Sequence, residues 1–188
     1  NFYALSSYYL GSFFSPLVYF FNAQSMPDAV YLITLLKFGA IGLSTYISLH
    51  GMFSKIPRSL VLTLSTSFAL MSFAISQIEI KTWLDVFILA PLILYGFKKL
   101  IYNEGEILYF ISLTSLFIQN YYFGFMMSIF LILWYLTQLS WDIKVIGKRF
   151  FHFVIVSLLS VITSLVMLYP TFLDLRTHGE SFSKVDSI

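Results

Sequence analysis

Lys37 interrupts the apolar run LITLLKFGAIG. Placing a lysine in hydrocarbon costs about 2.5–3.5 kcal/mol on insertion scales, so such a residue usually faces a polar cavity or a partner. A cation there suits holding a phosphate near a membrane surface. The competing reading is an ammonium that snorkels to the interface along its own apolar stem. The stretch QIEIKTWLD sets Glu79, Lys81, Trp83 and Asp85 within seven residues. Asp85 stands where a new apolar run begins. It reads either as a helix N-cap, favoured by free backbone amides and the helix dipole, or as a carboxylate open to a cavity, able to act as a general base or to bind a metal.

Two further groups are candidates. Asn120, Tyr121 and Tyr122 break a long apolar stretch and are followed by Gly124, which would let a neighbouring backbone approach closely. They read as cavity lining or as an interfacial turn with aromatic anchors. Near the end of the chain, YPTFLDLRTHGESFSKVD brings Asp174, Arg176, His178 and Glu180 together after Pro170. Acid, guanidinium and imidazole in such proximity could serve a phosphate or sugar, or form a solvated flank. His50 and His152 have neither metal-ligand nor triad spacing and read as interfacial.

The elements that must position these residues follow from the charge pattern. Of 188 residues, 59% are hydrophobic and only 11% charged, with a mean hydropathy of +0.84. A soluble domain carries about 25% charged residues. Charge-free runs at 1–27, 38–54, 59–78, 86–97, 107–141 and 150–173 hold 135 residues, leaving too little polar surface to cover a soluble fold. The runs show no sustained alternation, which disfavours a transmembrane barrel. The expected fold is all-α, a polytopic transmembrane helix bundle. The net charge of +2 gives no basis for nucleic-acid binding. With no cysteine, disulfides and thiolate chemistry are excluded, and no Walker loop, dinucleotide fingerprint, zincin motif or nucleophile elbow is present.

At 1.5 Å per residue, about 20 residues cross the hydrocarbon core. The spacing predicts about six spans, near 28–50, 58–78, 85–102, 106–119, 120–141 and 150–170. Residues 1–27 read as one or two short external interfacial helices, and 171–188 as the start of an external loop. Seven of the eleven basic residues (Lys55, Arg58, Lys98, Lys99, Lys144, Lys148 and Arg149) fall in three alternate connections, which the positive-inside rule assigns to the cytoplasm. That bias requires a break near Gln119-Asn120-Tyr121 and places both ends of the chain outside.

The ordered series YYLGSFFSPLVYFF, LITLLKFGAIGLSTYISL, WLDVFILAPLILYGFKKLI and IQNYYFGFMMSIFLILWYL resembles the YfhO-type bacterial membrane proteins, related to the GT-C class of polytopic glycosyltransferases. The resemblance covers nearly the whole chain and corresponds to an N-terminal part of a family member. It implies a GT-C-like bundle in the bacterial cell membrane that transfers a sugar from a polyprenyl-phosphate carrier to a cell-envelope polymer such as teichoic acid. Lys37, Trp83, Asp85, Asn120, Tyr121 and Gly124 match the family's pattern.

On this reading Asp85 is the catalytic candidate, and Lys37, Trp83, Asn120, Tyr121, Tyr122, Arg176 and His178 are the substrate-binding candidates. The expected partners are membrane lipid, the lipid-linked sugar and the polymer acceptor. In GT-C enzymes an acidic residue in the first external loop serves as base or metal partner. Residues 1–27 contain no Asp or Glu, so that carboxylate is expected upstream of Asn1. A divalent cation is the one cofactor to consider, although no metal ligands are identified. The rival reading is a transporter or lipid flippase subunit, which would also use broken helices and intramembrane charge. A third is a non-catalytic scaffold.

Overall fold

Proline and charge set where the helices begin. In the computed structural model, which describes residues 12–137 and 143–185, a 3-10 helix at Ser15–Phe20 and a 3-10 turn at Ala23–Ser25 lead into helix α1, Met26–Met52. Pro27 stands in the first turn of α1, where its missing N–H costs nothing, and Asp28 complements the dipole. Then follow α2 (Arg58–Ala69), α3 (Ser72–Ser76), α4 (Lys81–Ile101), α5 (Ile107–Gln119), α6 (Tyr121–Thr137) and α7 (Ile143–Val185). Among the described residues every regular element is helical, as the sequence predicts.

The first helix carries much of its polarity on the inside. α1 buries Thr34, Lys37, Ser44, Thr45 and Ser48 while exposing Leu32, Leu35, Leu36, Leu43 and Ile47. In water this arrangement would forfeit the hydrophobic gain that drives folding; against lipid tails it costs nothing, because association there rests on packing and internal hydrogen bonds. Ala23–Met52, Arg58–Ser76 and Arg149–Pro170 are long and apolar enough to cross a membrane. α5 and α6, with 13 and 17 residues, are shorter apolar helices. The chain is an all-α membrane bundle.

α4 is central, packing on α1 along one side and on α5 along the other, while α2 backs α1 and α7 backs α5. The larger core joins Ile93 and Phe97 of α4, Tyr109, Leu113 and Leu116 of α5, Leu131 and Tyr135 of α6, and Phe153 of α7. Phe97 anchors it, with ring centroids 5.0 Å from Trp134 and 5.3 Å from Phe153. The Tyr109 hydroxyl finds a partner in Ser157 Oγ at 2.8 Å. Between α4 and α5, Asn103 (φ 57°) and Gly105 (φ 130°) make the turn; only glycine readily adopts the second of these conformations.

The boundaries differ from the predicted ones at four places. The stretch 58–78 is not one continuous helix: α2 ends at Leu70, extended backbone at Met71 (ψ 145°) follows, and α3 restarts at Ser72. α4 begins at Lys81 with Ile80 as its N-cap, so Asp85 lies one turn inside the helix and does not cap it. Where a loop was expected after residue 170, α7 continues to Val185 with Pro170 inside it. The described part of the N-terminal stretch forms 3-10 turns, not longer helices; residues 1–11 lie outside the described residues. The break before Tyr121 is present, with Asn120 in extended conformation (φ -154°, ψ 94°).

Gly96 marks a close approach of α4 to the backbone of α5. A Cβ at this position would fall 2.6 Å from the Tyr109 backbone nitrogen, whereas one at Gly39 would meet nothing within 4 Å. Gly96→Ala should therefore force α4 from α5 and destabilise the bundle by about 1–3 kcal/mol, as overpacking does. Gly39→Ala should be neutral or slightly stabilising; thermal unfolding of the two variants in detergent checks the difference.

Candidate functional site

Lys37 and Asp85 form one buried ion pair. Lys37 Nζ donates to Asp85 Oδ2 at 2.8 Å, and the two side chains are only 1% and 2% exposed. Lys37 lies three turns into α1 and Asp85 one turn into α4. At the opposite end of the same helices, Lys98 Nζ donates to the Met52 carbonyl. The two helices thus run parallel, tied by a lysine at each end. Phe14 places its ring 5.8 Å from Lys37 Nζ, and the Ser12 side chain is turned toward the Asp85 carboxylate. The segment leading into α1 therefore folds back over the pair.

Two tasks assigned separately by the sequence, a phosphate-holding cation and a free carboxylate, fall on groups that neutralise each other. Breaking such a pair on one side leaves an uncompensated buried charge and costs about 3–5 kcal/mol, whereas replacing both partners by apolar residues is often neutral. A divalent cation does not fit here. The carboxylate is engaged by an ammonium, and among the described residues no group of three His, Asp or Glu side chains could hold a metal.

The other candidates divide. Trp83, two residues before Asp85, meets the Phe123 ring edge-on at 5.3 Å, joining the first turns of α4 and α6. Asn120 is buried and caps α6, its Oδ1 accepting from the Phe123 N–H at 3.2 Å. Tyr121 and Tyr122 are exposed. Gly124 accommodates the Phe117 ring of the same hairpin, 2.6 Å from where a Cβ would stand; the neighbour is a side chain, not the backbone expected. The side chains of Arg176 and His178 lie outside the described residues. His152 Nε2 donates to the Glu106 carboxylate at 2.7 Å, and the His50 ring stacks on Tyr46.

One residue absent from the sequence-based candidates belongs at this end of the bundle. Gln119 closes α5, is 2% exposed, and has no hydrogen-bond partner at Oε1 or Nε2 among the described residues. Among the same residues Trp83 Nε1 and Asp85 Oδ1 are also buried without a partner of good geometry. Leaving such a group unsatisfied costs about 1–3 kcal/mol. The signal was present as a lone amide ending the apolar run ILYFISLTSLFIQ, but it was read only as part of a helix break. Antiparallel packing sets its level: from the Gly96–Tyr109 contact, about ten residues along each helix climb ~15 Å, bringing Gln119 level with Val86.

Beside this polar end lies an apolar groove of about 670 Å³ between α1, α2, α4 and α6, lined among others by Ser48, Phe68, Phe87, Pro91, Phe123 and Phe130. It shares Phe123 with the Trp83 contact and begins at Val86, next to Asp85. A buried ion pair, set next to the end of an apolar groove in a helical bundle, defines an integral membrane protein built around an internal polar centre. The family model for the bacterial membrane protein YfhO matches residues 1–188, and the chain belongs to that family. No curated protein and no solved structure gives a match.

The ion pair makes a double-substitution test direct. Lys37→Met and Asp85→Leu should each lower stability by about 3–5 kcal/mol, and the double variant should recover most of that loss. Thermal melts of the purified variants in detergent give the coupling; additive losses would show that the two groups act independently.

Proposed function

We propose that the chain is part of an integral membrane glycosyltransferase that moves a sugar from a polyprenyl-phosphate carrier to a cell-envelope polymer such as teichoic acid, on the outer face of a bacterial membrane. The observation that carries this reading is the Lys37–Asp85 pair, set beside an apolar groove in a YfhO-family bundle. A lipid-linked sugar is polar at one end and hydrocarbon at the other, and so is this region. Transfer needs a base for the acceptor hydroxyl. Asp85 presents Oδ1 for that task while Oδ2 is anchored by Lys37, which acts as a positioning residue. The groove takes the carrier's apolar chain.

Six crossings with both ends extracytoplasmic complete the proposal. The parallel α1 and α4 require an even number of passes between their starts, which the α2–α3 return supplies. The alternation of basic connections orients the Asp85 end outward.

In the full-length protein the Lys37→Met/Asp85→Leu double variant, folded but without the carboxylate, should lower sugar on the envelope polymer by about 100-fold or more, the usual loss on removing a general base. Mass spectrometry of the extracted polymer checks this. Normal glycosylation by that variant would exclude Asp85 from the transfer. Loss of lipid-linked sugar translocation with transfer intact would favour a flippase.

A further inference from the structure

We infer that Gln119, together with Trp83, recognises the sugar itself. This inference rests on the transfer reading above and assigns that reading a residue outside the matched family blocks' charged and aromatic positions. It begins from an imbalance in the fold. In a membrane bundle a polar side chain that cannot reach water normally bonds within its own helix, and most hydroxyls here do so: Ser65 bonds the Val61 carbonyl, Ser112 that of Leu108 and Ser160 that of Val156, with Ser48 Oγ and Thr114 Oγ1 as exceptions among the described residues. Gln119 does not. Its amide offers two donors and an acceptor, is almost wholly buried, and finds a partner for none of them among the described residues.

A second unpartnered group sits at the same end. Trp83 Nε1 is a buried donor without an acceptor among the described residues, on a ring that touches Phe123. Phe123 in turn donates its N–H to Asn120, the residue after Gln119. The turn between α5 and α6 thus links Gln119 to Trp83 through Asn120 and Phe123, at the Asp85 end of α4.

The unmet needs of this corner select the ligand. A hydrocarbon would satisfy none of them. A phosphate would satisfy the indole and amide N–H groups but would set oxygen against Gln119 Oε1 and the Asp85 carboxylate. A hydroxyl both donates and accepts, so a group bearing several hydroxyls on one small ring can meet the amide oxygen, the amide N–H and the indole N–H together. Sugar C–H faces also pack on indole. Trp83 and Phe123 are half-buried, and their edge-on contact joins α4 to α6 beside the apolar groove that Phe123 also lines.

Two measurements on the full-length protein in lipid nanodiscs test the assignment. The first is the thermal midpoint of Gln119→Leu, which replaces an unsatisfied amide by an apolar group of similar size. The midpoint should equal or exceed that of the wild type, since no bond within the fold is lost; a clear fall would mean the amide serves the fold, and would overturn the inference. The second compares binding of undecaprenyl phosphate with that of the same carrier bearing glucose or N-acetylglucosamine. The wild type should prefer one sugar-bearing carrier by about tenfold or more, the equivalent of at least one good hydrogen bond, and Gln119→Leu should remove that preference. A preference that survives in Gln119→Leu would overturn the role of Gln119 while leaving the transfer reading intact. A wild type that binds no carrier of either kind would overturn the transfer reading beneath it.

Discussion

Hydrocarbon offers no hydrogen bonds, so a charge placed inside a membrane bundle is answered by another part of the same protein or by water. The Lys37–Asp85 pair is the costliest instance of that constraint in this chain. It selects which faces of α1 and α4 can meet, because any rotation of either helix would leave a charge facing lipid or a neighbouring apolar side chain. Once those faces are set, Thr34, Ser44, Thr45 and Ser48 of α1 turn inward with Lys37, and the leucines turn outward. The second lysine tie, from Lys98 to the Met52 carbonyl, fixes the same two helices at their other end and leaves little freedom for sliding.

The rest of the bundle is held by different means. Around α5 the contacts are aromatic and close, centred on Phe97 and made possible by the missing side chain at Gly96. That half of the molecule is a dense apolar core. The other half, around α1 and α2, has small residues, self-bonded hydroxyls and an open groove. The polar corner lies where the two halves meet, on the first turns of α4 and α6 and the last turn of α5.

Much of this was legible in the sequence, and the exceptions have physical causes. The charge-free runs and the basic clusters mark the helices and their alternation, because charges can reside only where water or a partner is near. The break at Asn120 was readable from two adjacent amides in an apolar run. Lys37 and Asp85 were each recognisable as out of place, yet their pairing was not, since 48 residues separate them and nothing local encodes which faces meet. The break at Leu70–Met71 carries no proline or glycine and left no mark. Asp85 looked like a cap because it stands at the edge of a charge-free run. The helix in fact starts one turn earlier, and tertiary pairing, not the dipole, determines where the carboxylate goes. Gln119 was passed over because an unpaired amide is recognisable only once the absence of its partners can be seen.

The parallel arrangement of α1 and α4 also bears on how the chain enters its membrane. Synthesis proceeds from the N-terminus, so α1 is made while Asp85 is still many residues from emerging. Lys37 must enter the bilayer, or wait beside it, without its counter-charge. The insertion cost of a lone lysine, about 2.5–3.5 kcal/mol, has to be offset meanwhile by the flanking leucines and isoleucines of the same helix. The richly apolar outer face of α1 thus serves biogenesis as well as the finished fold, carrying the lysine until α4 arrives to neutralise it.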